Sequence, residues 1–128
     1  MYAPERVNDG STATAHSPSN SWTHDWCGEC VPQTVFPQWL DLTFPAAVTF
    51  QRLEFYTDAD YPARGFTFQT WSGTAWVDLE VVTNNLAVHR TFVFGSAVTT
   101  TALRVVAQQG PTQQPNFVRV NEIELYCE

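Results

Sequence analysis

The chain has 128 residues, a formal net charge of −7 and 6 Lys+Arg. That length suits one domain. The scarcity of basic residues excludes a nucleic-acid binder and disfavours charge-driven binding to anionic lipid. Hydrophobic residues make up 44% and aromatics 14%, enough for a core, while the charged fraction is only 15%. Solubility then falls to Thr, Ser, Asn and Gln, which suits strands with one polar face.

The start, Met1-Tyr2-Ala3-Pro4-Glu5, has neither a basic region nor an apolar leader. No apolar run approaches the roughly 20 residues of a membrane span. The expectation is a single domain over residues 1–128, belonging to a longer secreted, extracellular protein.

Helical periodicity is absent, and alternation recurs. Residues 11–38 come first and show no alternation. They carry Trp22, His24, Asp25, Trp26, Cys27 and Cys30. A long unpatterned segment in a compact domain is usually a functional loop, so the binding site is expected there first. Leu40, Leu42 and Phe44 then alternate with Asp41 and Thr43. Val48 and Phe50 continue to Leu53 and Phe55, with a phase shift that predicts a bulge. Phe66 and Phe68 alternate with Thr67 and Gln69. Ser72-Gly73-Thr74 reads as a turn before a strand at Trp76 and Val77. Phe92 and Phe94 follow, then Leu103 and Val105, then a last strand from Val118 to Tyr126. Between Val118/Val120 and Ile123/Leu125 the phase slips, which predicts a bulge at Asn121-Glu122. Trp39, Trp71 and Trp76 read as core or sheet-packing residues. His16 and His89 read as ordinary surface or strand residues. Short strands separated by Pro, Gly, Asn and Thr predict an all-β fold, an antiparallel β-sandwich.

The cysteines leave alternatives open. His24-x-x-Cys27-x-x-Cys30 has the short spacing of zinc sites, with His16 or Cys127 as a further ligand. A disulfide, Cys27–Cys30 or one of these with Cys127, better suits a secreted domain. Catalytic motifs are missing: there is no Gly-x-Ser-x-Gly, no His-Glu-x-x-His and no phosphate loop. Asp58 and Asp60 are carboxylates, as glycosidases require, but two residues apart in one short loop they would not straddle a substrate. The chain is read as not an enzyme.

The order of several segments resembles the discoidin domain, the coagulation factor V/VIII type C fold, which includes carbohydrate-binding module family 32. The resemblance rests on Val7-Asn8-Asp9-Gly10-Ser11, Pro37-Gln38-Trp39-Leu40-Asp41-Leu42 and Trp71-Ser72-Gly73-Thr74-Ala75-Trp76. It continues through Thr101-Ala102-Leu103-Arg104-Val105 and Val120-Asn121-Glu122-Ile123-Glu124-Leu125-Tyr126. The family usually carries a further strand upstream of its Asn-Asp-Gly turn, where this chain has only a few residues.

The resemblance implies a jelly-roll, galactose-binding-domain-like sandwich, lectin-like in binding a glycan through loops at one end. It implies a structural calcium held by the Asp9 and Glu122 carboxylates, the Thr14 hydroxyl and carbonyl, and the carbonyls of Arg6, Ser11 and Asn121. Calcium chemistry agrees, since six to eight hard oxygens suffice and carbonyls count. For the sugar it points to Trp22, His24, Asp25 and Trp26, with His24 standing where galactose-binding relatives use a loop histidine. The next loop supplies Asp58, Asp60, Tyr61 and Arg64. It is shorter than in galactose binders, so the resemblance does not extend to galactose, and its two aspartates could instead read vicinal hydroxyls. The third loop adds Asn116, beside Gln114 and Phe117. The implied partner is a neutral glycan or a plant or microbial polysaccharide, with the module appended to a larger enzyme or adhesin. The alternative is a discoidin-type adhesion domain that binds a protein or lipid surface.

Overall fold

A computed structural model describes residues 2–23 and 36–128. A short 3₁₀ turn, Pro4–Asn8, leads the chain, with Pro4 at its first position where a missing N–H costs nothing. Among the described residues seven strands follow: β1 (Trp22–Thr23), β2 (Gln38–Tyr56), β3 (Gly65–Trp71), β4 (Trp76–Val82), β5 (His89–Gln109), β6 (Arg119–Val120) and β7 (Glu122–Tyr126). All paired strands run antiparallel. β1 and β6 form a small sheet, and the large sheet has the order β4-β3-β5-β2-β7.

The two long strands make one sheet into a sandwich. Their register breaks twice. Residues 44–47 of β2 face residue 101 of β5, and Pro45 in that stretch cannot donate to the ladder. The second break lies between Phe50 and Arg52, where the phase shift predicts it. The paired strands bend there, so the wing with β3 and β4 folds over the wing with β7. The rings meet across the gap: Phe55 of β2 lies 4.4 Å from Phe66 and 5.6 Å from Phe68 of β3. Phe68 in turn meets Phe92 edge-on at 5.4 Å. Phe50, Leu53, Leu103 and Val105 complete a core with almost no exposure.

Two expectations change. The last strand is two strands in different sheets. Val120 pairs with Trp22, whereas Glu122 pairs with Tyr56. The Asn121 N–H, at the switch, donates to the Tyr56 carbonyl at 2.9 Å. Trp39 is no core residue. Its side chain shares the outward phase of the exposed Asp41 and Thr43, and the residue is 54% exposed.

Candidate functional site: a cleft among three loops

The loop between β2 and β3 is shaped by Asp58, which is fully buried. Its Oδ1 accepts the N–H groups of Asp60 (2.9 Å) and Tyr61 (3.0 Å), an Asx turn. Its Oδ2 lies 2.7 Å from His16 Nδ1. Thr57 seals the base: its hydroxyl donates to the Arg119 carbonyl and accepts the Ala63 N–H. Asp58 therefore folds the loop and presents no oxygen to a ligand, which corrects its reading as a sugar contact. Asp60, two residues on, is exposed.

Asp60 opens on a cleft of about 190 Å³ that Pro62, Arg64, Leu86, Pro111 and Thr112 also line. Three loops converge on it, and hydrogen bonds bind them to one another. Arg64 Nη1 donates to Thr112 Oγ1 at 3.2 Å, while its Nε is buried without a partner. The Arg64 carbonyl accepts the Asn85 N–H, and the Asn85 amide donates to the carbonyls of Ala63 and Ala87 at 2.8 Å each. The loop from 110 to 118 closes on itself through Gly110 N–H to Pro115 O and Gln114 N–H to Pro111 O. A side chain on Gly110 would overlap the carbonyls of Phe117 and Gln114, so the loop can close this tightly only around glycine. Asn116 is exposed on this loop but is not among the residues that line the cleft.

Beside the cleft, Tyr61 meets the His16 ring edge-on at 4.9 Å. Arg119 lies behind it, 3% exposed. Its guanidinium carbon is 5.0 Å from the Tyr61 ring centre, 5.5 Å from Tyr2 and 5.6 Å from Phe117. Arg119 pairs across the small sheet with Thr23, directly before residues 24–35. A sequence reading passes over this arginine, because Val118-Arg119-Val120 looks like ordinary alternation.

Trp22 does not fit its expected role. It is 7% exposed, belongs to the core and pairs with Val120, so it has no face free for a sugar. His24, Asp25, Trp26, Cys27 and Cys30 lie outside the described residues. Cys127 is exposed and is a free cysteine among the described residues, its Sγ 3.5 Å from the Thr49 carbonyl. The larger groove beside it, about 510 Å³, is lined mainly by apolar residues such as Leu42, Phe44 and Leu125 and offers few groups to read hydroxyls.

The proposed calcium ligands can be tested for fit. The turn and the last strands do converge: the Gly10 N–H donates to Glu122 Oε1 at 3.2 Å, and Asn121 Nδ2 donates to the Ala13 carbonyl at 2.8 Å. Glu122 Oε2 and Asn121 Oδ1 are buried oxygens without a partner. Burial, with Asp9 nearby, pushes the Glu122 carboxyl up to about 7. Two orphan oxygens, one of them on the Glu122 carboxylate, with the Asp9 carboxylate nearby, suit a hard cation. Arg6 reaches Asp9 at 3.7 Å, and the Thr14 carbonyl accepts the Ala59 N–H. Ser11 is exposed, and its N–H donates to Asp9 Oδ1. Among the described residues no three His, Cys, Asp or Glu side chains gather as a metal site, so backbone oxygens would supply much of the shell.

No family model and no curated protein matches the sequence. Solved structures do share its fold. A selenomethionine-labelled variant of chitosan-binding module 1, from a Paenibacillus sp. IK-5 chitosanase/glucanase, matches at TM-score 0.73 and 21% identity, over 98% of this chain and 84% of that one. Chitosan-binding module 2 of the same enzyme, solved with chitotriose, matches at 0.71 and 20%, over 98% and 86%. The family 32 carbohydrate-binding module of C. perfringens NanJ, solved with galactose, matches at 0.73 and 15%, over 95% and 82%. At these identities the likeness carries the fold: an all-β, discoidin-like sandwich of the family 32 type.

Proposed function

We propose that this chain is a non-catalytic carbohydrate-binding module that takes a neutral glycan in the loop-end cleft. The observation that carries this is the pairing of Asp60 and Arg64 with apolar surface in one cleft. A carboxylate accepts from sugar hydroxyls and a guanidinium donates to them. Pro62 and Leu86, the latter 75% exposed, offer apolar contact to C–H faces. A module of the same fold was solved with galactose, which supports the neutral-sugar class without naming the sugar.

The non-catalytic part rests on the carboxylates. Among the described residues Asp60 is the one carboxylate lining the cleft, and Asp58 is spent on its own loop. Glycosidases need two carboxyl groups about 5–9.5 Å apart, flanking the scissile bond. We further propose a structural calcium between Asp9, Asn121 and Glu122, an extracellular setting, and attachment to a larger enzyme or adhesin. The exposed Leu86 favours a second reading, an adhesion surface for protein or lipid.

A glycan array followed by titration at millimolar sugar tests the first reading, since a single shallow site binds weakly. Binding that Asp60→Ala and Arg64→Ala both abolish supports it. Binding to liposomes with no glycan signal at any concentration would replace it with the second.

A further inference from the structure

The outer face of the wing formed by β4, β3, β5 and the first part of β2 carries three tryptophans, and the register places them. Trp71 pairs with Trp76, Gln69 with Arg104, and Arg104 with Asp41. Trp39 lies two residues from Asp41 and so on the same face. Arg104 stands between the two ends of this array. Its guanidinium carbon is 4.1 Å from the Trp76 ring centre and 5.0 Å from that of Trp39. Two hydrogen bonds to Asp41, at 2.7 and 2.9 Å, hold it there and offset its charge. The Trp71 and Trp76 rings meet at 5.3 Å and 58°, forming a notch instead of a flat stack. A shallow depression of about 340 Å³ opens from it over Thr43, Thr101 and Ala102.

We propose that this face is a second glycan-binding surface, distinct from the loop-end cleft, for an extended chain of neutral pyranose sugars. A pyranose ring has an apolar C–H face and a rim of hydroxyls. The indoles match the first; the Thr43 and Thr101 hydroxyls and the Gln69–Asp78 pair, bonded at 2.8 Å, match the second. Charge selects the ligand, because Arg104 is committed to Asp41 and gives an anionic chain no free cation. Length follows from placement: Trp39 and Trp76 flank Arg104 on opposite sides, so one sugar cannot cover both. The alternation of ring and polar row also leaves no continuous apolar surface of the kind a protein partner would bury.

The test is mobility in native gels containing hydroxyethylcellulose, galactomannan or a soluble β-1,3-glucan. Wild type, Trp39→Ala, Trp76→Ala, Trp76→Phe and Asp60→Ala are compared, with circular dichroism checking each fold. At least one neutral polymer should retard the wild type. Trp39→Ala and Trp76→Ala should each weaken that retardation about fivefold to tenfold. Trp76→Phe should keep most of it, and Asp60→Ala, which disables only the loop-end cleft, should retain the part of the retardation that Trp39→Ala removes. Trp39 is exposed, so its variant decides the matter even if Trp76→Ala misfolds. Three results would overturn the proposal: no retardation by any of the three polymers, retardation lost in Asp60→Ala and unchanged in the Trp variants, or a wild-type dimer in sedimentation that Trp39→Ala dissociates.

Discussion

His16 and Asp58 join two distant parts of the chain: His16 Nδ1 lies 2.7 Å from the buried Asp58 Oδ2. This contact docks the N-terminal segment on the loop that carries Asp60. Removing the carboxylate leaves the Asp60 and Tyr61 N–H groups without their acceptor as well. Asp58→Ala should therefore cost about 2–4 kcal/mol, from one partly exposed contact to histidine and two backbone hydrogen bonds. Thermal denaturation should register it as a lower melting temperature. Asp60→Ala should melt within about 0.5 kcal/mol of wild type, as an exposed residue does.

The calcium proposal predicts that chelation of calcium-loaded protein lowers the melting temperature. At free calcium a hundredfold above the dissociation constant, the difference is about 2.7 kcal/mol. Glu122→Gln should melt alike with and without chelator. A wild-type melt indifferent to chelator, starting from calcium-saturated protein, would remove the metal from the account.

Glu54 sets an acid limit. It is 5% exposed. Its oxygens meet Arg52 at 2.6 Å, His89 at 2.7 Å and Thr91 at 2.6 Å. Burial pushes its carboxyl up, but the hydrogen bonds from Thr91, His89 and Arg52 outweigh this and hold it below 4.5. The folded state therefore favours the carboxylate. The stabilisation is fully present above the unfolded value and is lost as pH falls through the folded one. Glu54→Gln should be less stable than wild type at pH 7 by about 1–3 kcal/mol. That gap should narrow as the pH drops below about 4.5 in denaturant melts.

Gly110 tests whether the third loop shapes the cleft. The overlap of any Cβ with the Phe117 and Gln114 carbonyls means that Gly110→Ala must open the loop. It should cost more than about 1 kcal/mol and weaken glycan binding, even though residue 110 is not in the cleft lining.

Much of the sandwich is legible in the alternation. Leu40, Leu42 and Phe44 turn inward and Asp41 and Thr43 outward, as their spacing says. The phase slip between Phe50 and Leu53 falls on a true register break. The slip at Asn121–Glu122 is equally visible, but one bulged strand and a switch between two sheets leave the same local pattern. Only the partners, Trp22 for Val120 and Tyr56 for Glu122, separate them.

Single side chains are harder to read. Asp58 and Asp60 look alike in sequence, and the Asx turn sends one inward and leaves the other at the cleft. Trp22 sits in a polar stretch and is buried in the core, and its two-residue strand is too short for any periodicity to show it. Trp39 sits at the start of a clear strand and is exposed, because it shares the phase of Asp41. Arg64 and Thr112 come together through loop closure, which no local pattern records.

The most direct test of the central claim is an amide-resonance titration of isotope-labelled protein with galactose, N-acetylgalactosamine and chitotriose, each to millimolar concentration. The account predicts that at least one sugar produces saturable shifts centred on Asp60, Arg64, Leu86 and Thr112. Those shifts should be absent in Asp60→Ala. The claim is contradicted if none of the three sugars moves those four amides saturably.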